Sequence, residues 1–224
     1  MSDRKRNPAL LAAFPNGLKG LIFDCDGVIF DSRESNTSYY NAIRQGVGLP
    51  PLTHEDIAYV HMSTVHAAFA RLFPPPYDQA ALEYSALYDY KENIVPMLVP
   101  EQGILELLHW LQNWNIKIGM CTNRMNTVGD VLRYFSLEGF FWPVKTAANS
   151  TPKPQPDGLL EIIKDWGVPL DSVAFIGDSQ VDEEAARAAG MNFWSFKNEN
   201  LNADLYVKDF FAMMEEIACL VENE

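Results

Sequence analysis

Cysteine is scarce in this chain: Cys25, Cys121 and Cys219 are the only three among 224 residues. An odd number with no metal-type spacing argues against both a disulfide framework and a zinc site. Reduced thiols in a cytoplasm are the expected setting. Positive charge is also thin, with 17 basic residues against 30 acidic ones and a net charge of −13. That balance disfavours nucleic-acid backbones and anionic membrane surfaces as partners. The acid is uneven: residues 171 to 224 carry 12 acidic and 3 basic side chains, which reads as a solvated face. No long apolar run, repeat or low-complexity tract occurs. The opening MSDRKRNPALLAAFPNG has an apolar stretch of only a few residues, broken by Pro15. It is too short for a signal peptide or a membrane span and reads as a loose leader.

What is present is ordinary globular composition, 48% hydrophobic and 12% aromatic. Short apolar runs bounded by turn residues recur at Leu21–Phe23, Ile116–Cys121, Trp142–Thr146, Val173–Ile176 and Met191–Phe196. Helical periodicity fills the gaps at Gly103–Trp114, Thr127–Phe135, Pro156–Trp166 and Val181–Ala189. Strand and helix in alternation predict an α/β fold, a Rossmann-like parallel sheet with helices on both faces. From Glu34 to Val95 the alternation stops, leaving helical pieces at Ser38–Gln45, Val65–Leu72 and Asp78–Asn93. The expected organisation is a core of residues 1–31 and 99–224, with residues 32–98 as an inserted helical cap domain.

In open α/β sheets the ligand sits beyond the carboxyl ends of the strands, and four such ends here carry polar residues of one theme. In LIFDCDGVIFDS, Asp24 and Asp26 lie two apart after an apolar strand, so both point the same way. Paired carboxylates suit a hard cation such as Mg²⁺, or a division between nucleophile and proton shuttle. In IKIGMCTNR, Thr122 and Asn123 offer a hydroxyl and backbone N–H groups to a phosphate. In TPKPQPDG, Lys153 between two prolines is a rigidly presented counter-charge. In VAFIGDSQVDEEAARAAG, Asp178 ends a strand and Asp182 follows one helical turn later. Taken singly, each has a plain structural reading: a surface turn, a helix cap, a solvated lysine, and acids at a helix N-terminus.

Together and in this order, the four motifs resemble the haloacid dehalogenase superfamily, in its phosphoglycolate phosphatase-like branch with a helical cap after the first strand. The resemblance spans residues 24 to 190 and implies a phosphatase acting on a small phosphorylated molecule, with Mg²⁺ as cofactor. By that resemblance Asp24 attacks phosphorus and Asp26 serves as acid and then base. The metal would be held by Asp24, the backbone carbonyl of Asp26 and Asp178, with Asp182 supporting Lys153 or a metal-bound water. Thr122, Asn123 and Lys153 would hold phosphoryl oxygens. Haloacid dehalogenases themselves lack the second aspartate, so Asp26 argues against carbon–halogen chemistry. Sugar phosphomutases of the branch usually have Glu where this chain has Gly177, which favours hydrolysis; a mutase or a non-catalytic phosphate-binding protein are the alternatives.

Some residues fall outside the motifs. Cys25 reads as core, because nothing nearby in sequence would lower its pKa. His109 lies in an amphipathic helix and reads as packing. The candidates for choosing the leaving group are His61, Ser63, Thr64, His66 and Arg71 in the helical insert.

Overall fold

The computed structural model describes residues 8–221, apart from the side chains of His61 and Met62. Helix α1 (Pro8–Ala13) leads into β1 (Gly20–Phe23) and the two-residue strand β2 (Phe30–Asp31). A run of helices follows: α2 (Arg33–Gly46), α3 (His54–Met62), α4 (Val65–Leu72), α5 (Asp78–Leu87) and α6 (Tyr90–Asn93). Strand β3 (Val99–Pro100) then pairs antiparallel with β2, so the chain leaves and re-enters the sheet domain through one short ribbon. Beyond it come α7 (Ile104–Asn113), β4 (Lys117–Thr122), α8 (Val128–Tyr134), β5 (Val144–Thr146) and α9 (Asp157–Trp166). The chain closes with β6 (Val173–Gly177), α10 (Gln180–Ala189), β7 (Asn192–Phe196), β8 (Leu205–Val207) and α11 (Phe210–Val221).

Six strands form one parallel sheet in the order β5-β4-β1-β6-β7-β8. Side chains alternate across it, as the two-residue period of a strand requires. Leu21, Phe23, Ala174, Ile176, Trp194 and Phe196 enter one core, covered by α7, α8 and α11. Ile22, Val173, Phe175 and Phe193 enter the other, covered by α9 and α10. Because β1 is buried on both faces its sequence is continuously apolar rather than alternating. Trp166 of α9 seats its indole directly on the sheet: a Cβ added at Gly20 or Gly119 would lie 2.5 or 2.9 Å from that ring. The helical run has a core of its own, built on Tyr40, Ile43, Leu52, Ala68, Leu72 and Phe73.

The five expected strands are present, and β8, β2 and β3 add to them. Each addition is two or three residues long, too short to show a period. The stretch expected as one helix over Asp78–Asn93 is two, since Tyr88 is extended and the Asp89 side chain caps α6 by accepting from Glu92 N–H. The opening segment corrects the expectation of a loose leader over the residues described. Leu10 and Phe14 sit in the core, Phe14 edge-on to Trp194 at 5.8 Å between ring centroids. Among the described residues no helix is long and apolar enough to cross a membrane.

Candidate active site

The carboxyl ends of β1, β4 and β6 open into a cavity of about 310 Å³. Its lining includes Asp24, Asp26, Thr122, Asn123, Lys153 and Asp178 from the sheet side. Asn36, Tyr39, Tyr40, Val60, Ser63 and Tyr90 face it from the helical run. Every motif residue singled out in the sequence therefore reaches one place, with Asp182 just beneath.

The first loop is built for close approach. Asp24 N–H still donates to Ile176 C=O at 2.9 Å, extending the β1–β6 pairing by one residue. Gly27 then turns the chain at φ +77°, and a Cβ there would lie 2.0 Å from Asp178 Oδ2. Only glycine lets the Asp178 carboxylate come up against this loop. The loop after β6 is held by Asn198, whose Nδ2 donates to Asp178 C=O at 2.8 Å.

Lys153 is 3% exposed and its ammonium bridges two carboxylates, donating to Asp24 Oδ1 at 2.6 Å and to Asp182 Oδ1. Asp182 is fully buried with both oxygens committed: Oδ2 also accepts from Ser179 N–H and Oγ–H in a capping box that starts α10. Asp182 thus joins the start of α10 to the Lys153 ammonium. Asp182 fits only because residue 177 is glycine, where a Cβ would meet Asp182 Cβ at 2.3 Å. Asn123 fixes the lysine's backbone reciprocally. Its Oδ1 accepts from Lys153 N–H at 2.8 Å and its Nδ2 donates to Lys153 C=O at 3.0 Å. The long polar segment before Lys153 is thus pinned at its end.

Three carboxylates, those of Asp24, Asp178 and Asp182, each bring an oxygen within 4.8 Å of the others. If all three were ionised, they would exceed the single ammonium of Lys153 by two negative charges. Burial first, then Asp182 and Asp24, push the Asp178 carboxyl up to about 8. Burial likewise pushes Asp24 up to about 7, with Asp182 and Asp26 adding to it and Lys153 opposing. Among the described residues no donor reaches the Asp178 carboxylate. An all-oxygen set with two surplus charges and one unshared carboxylate fits a hard divalent cation.

The resemblance gives Asp26 the part of an acid, which needs a proton at the start, yet its surroundings favour the charged form. Burial alone would raise its pKa, but Arg124 holds it below the ordinary carboxylate value. Arg124 is 7% exposed and grips Asp26 with both arms, Nε to Oδ2 at 2.7 Å and Nη2 to Oδ1 at 2.6 Å. Its Nη1 donates to the Tyr90 hydroxyl at 2.9 Å. The sequence reading passed over Arg124, though a signal existed. It directly follows Thr122-Asn123 at the approach to a helix N-terminus, where a cation opposes the helix dipole and needs another reason to be there.

The remaining candidates separate. Ser63 lines the cavity. Thr64 instead caps α4 by accepting from Ala67 N–H at 3.2 Å. Arg71 pairs with Glu55 at 2.7 Å and lies over the Tyr59 ring. His66 is exposed and absent from the cavity lining, and the His61 side chain lies outside the described residues. His109 packs edge-on against Phe140 at 5.0 Å. Cys25 is fully buried, and burial pushes its thiol well up, which suits core packing.

Comparison with known proteins places this geometry among relatives. The family model described as "Haloacid dehalogenase-like hydrolase" matches residues 21–196. A phosphoglycolate phosphatase from Pseudomonas putida is 27% identical over 188 residues, 80% of this chain and 69% of that protein. An N-acetylmuramic acid 6-phosphate phosphatase from Pseudomonas aeruginosa is 28% identical over 180 residues, 77% of this chain and 79% of that one. Among solved structures, a HAD-superfamily hydrolase of subfamily IA, variant 1, from Geobacter sulfurreducens superposes with a TM-score of 0.76. It is 35% identical, and the alignment covers 90% of this chain and 98% of that one.

Proposed function

The chain belongs to the haloacid dehalogenase-like hydrolases, in the phosphoglycolate phosphatase-like branch, and on that footing we propose that it is a Mg²⁺-dependent phosphatase acting through an aspartyl-phosphate on Asp24. The observation that carries this reading is the Lys153 ammonium held between Asp24 and Asp182 at the floor of the cavity. An ammonium has three donors and two are taken there, which leaves one for a phosphoryl oxygen beside the attacking carboxylate. Thr122 and the Asn123 backbone at the end of β4 supply neutral contacts to the same group.

A Mg²⁺ ion on Asp24, Asp178 and the Asp26 carbonyl would offset the surplus negative charge and draw the Asp24 pKa back down. Asp24 then attacks phosphorus, and the bond to the leaving oxygen breaks with its electron pair going to that oxygen. Asp26, ionised while Arg124 grips both its oxygens, takes up a proton from solvent as one of those contacts opens and gives it to the leaving oxygen. In the second half Asp26 takes a proton from water, whose oxygen attacks phosphorus and releases the Asp24 carboxylate with inorganic phosphate. Covalent and acid–base catalysis are both needed because uncatalysed phosphate monoester hydrolysis is among the slowest of biological reactions.

A volume of about 310 Å³ is at the small end for ligand pockets, which favours a small monoester, phosphoglycolate-like or a sugar phosphate. We take residues 32–98 as the cap domain that closes over the leaving group, since Tyr39, Tyr40, Val60 and Ser63 reach the cavity from there. Hydrolysis is favoured over mutase chemistry. The seat that a glutamate at position 177 would need is filled by Asp182. The buried thiols of Cys25 and Cys121, in no disulfide, support a cytoplasmic location.

The test is a panel of phosphate monoesters assayed with Mg²⁺ and again in excess chelator. Turnover of a small monoester that requires the metal is expected. Full activity in chelator, or none on any monoester, contradicts the reading.

A further inference from the structure

Arg124 is a buried cation inside the cavity that the proposed reaction does not yet use. Two of its nitrogens hold both oxygens of Asp26, and Nη1 is held in turn by Tyr90 of α6, with Thr127 Oγ1 at 3.4 Å. Its own backbone N–H donates to Thr122 Oγ1 at 3.1 Å, so the chain around it is fixed to the end of β4. A guanidinium is one rigid plane, so holding Nη1 from one side aims the other two nitrogens. Tyr90 is therefore a strut, and it comes from the helical segment, whereas Asp26 and Arg124 come from the sheet domain.

A proton-transferring carboxyl must point at the leaving oxygen and also have one oxygen free. The bidentate grip meets the first need and defers the second. If one of the two contacts opens, the other still orients the carboxyl while its freed oxygen carries the proton. We propose that Arg124 is the positioning residue for Asp26, and that Tyr90 sets Arg124, tying the aim of the acid–base group to the helical segment. This rests on the role given to Asp26 above.

The reaction separates such a role from a merely structural one. Expelling an alkoxide requires the proton from Asp26. Expelling p-nitrophenolate, a stable anion, does not. Regenerating the enzyme requires Asp26 as base for every substrate alike. The experiment compares kcat/KM for p-nitrophenyl phosphate and for an alkyl phosphate monoester turned over by the wild type, in Mg²⁺, for Arg124→Ala, Arg124→Lys and Tyr90→Phe. In Arg124→Ala, kcat/KM for the alkyl ester should fall by about 100-fold or more, the scale of general acid catalysis, with a loss of only a few-fold for p-nitrophenyl phosphate. A burst of p-nitrophenolate should appear as hydrolysis of the intermediate becomes limiting. Arg124→Lys keeps one donor for Asp26 and should recover much of the loss. Tyr90→Phe keeps the ring, should fold normally, and should show the same selectivity at smaller size.

An equal fall on both substrates without a burst overturns the proposal and leaves Arg124 a structural ion pair. A rise in KM confined to esters with an anionic leaving group also overturns it, and makes Arg124 a substrate contact. Failure of the wild type on all monoesters would instead strike the proposed function itself. Thermal unfolding of each variant shows whether Arg124→Ala is folded; if it is not, Tyr90→Phe and Arg124→Lys decide.

Discussion

Replacing Asp182 by alanine removes a carboxylate that has no exposure to water and serves two partners. The Lys153 ammonium would keep Asp24 alone, still buried, and Ser179 would lose its partner at the start of α10. Breaking one side of a buried ion pair costs about 3–5 kcal/mol, and loss of a helix cap about 1 kcal/mol. Relief of the repulsion that Asp182 exerts on Asp24 and Asp178 returns part of this. A net cost of about 3 kcal/mol is a large share of a typical stability of roughly 5–15 kcal/mol. At about 2–4 °C per kcal/mol for a chain of this size, Tm should drop by roughly 6–12 °C. Differential scanning calorimetry in chelator measures it, and Lys153→Met sets the control. In the double variant the ammonium is gone, so the cost of Asp182→Ala should shrink well below its value alone. A Tm change under about 2 °C, or full additivity of the two substitutions, would refute the bridging role of Lys153.

Three further outcomes follow from the same geometry. Without metal, the folded protein binds protons at Asp24 and Asp178 more tightly than the unfolded chain does, because both pKa values lie above the ordinary 3.8, at about 7 and about 8. Stability in chelator should therefore fall as pH rises from about 4 to about 8, and Mg²⁺ should flatten the slope; a Tm that ignores pH in chelator would contradict this. Lys153→Ala should weaken binding of inorganic phosphate, followed by calorimetry, while Lys145→Ala should scarcely change it. Lys145 pairs with Glu161 at 2.8 Å, outside the cavity lining. Gly177→Ala should lose both stability and activity, since its Cβ would displace Asp182; a variant with unchanged Tm and turnover would mean that Asp182 has room to move.

The sheet was legible because β1, β4, β6 and β7 are buried and apolar, and because turn residues end each run. The polar residues at their ends needed no further information to be brought together, since a parallel sheet places all its carboxyl ends on one edge. What escaped was whatever depended on partners far away in sequence. Arg124 and Asp26 are 98 residues apart, and Lys153 and Asp24 are 129. No periodicity reports such a pairing, so the sequence offered charge and spacing but not which cation would grip which carboxylate. The helical segment was the least legible part. Helix α3 starts at a Thr53–Asp56 capping box that the sequence spells out, yet its apolar face is weakly patterned. Arg71 was a fair candidate by charge alone, and only the fold shows that Glu55 and Asp56 take it.

The central claim is that Asp24 carries the phosphoryl group, and acid-quenched turnover followed by peptide mass spectrometry tests it most directly. Wild type mixed with substrate and Mg²⁺ should show one phosphoryl group on the peptide containing Asp24, lost again as turnover completes. Asp26→Asn should accumulate that species from p-nitrophenyl phosphate, and Asp24→Asn should form none while remaining folded. A phosphoryl group on another residue, equal labelling of the two variants, or rapid turnover with no labelled enzyme at any time would contradict the account.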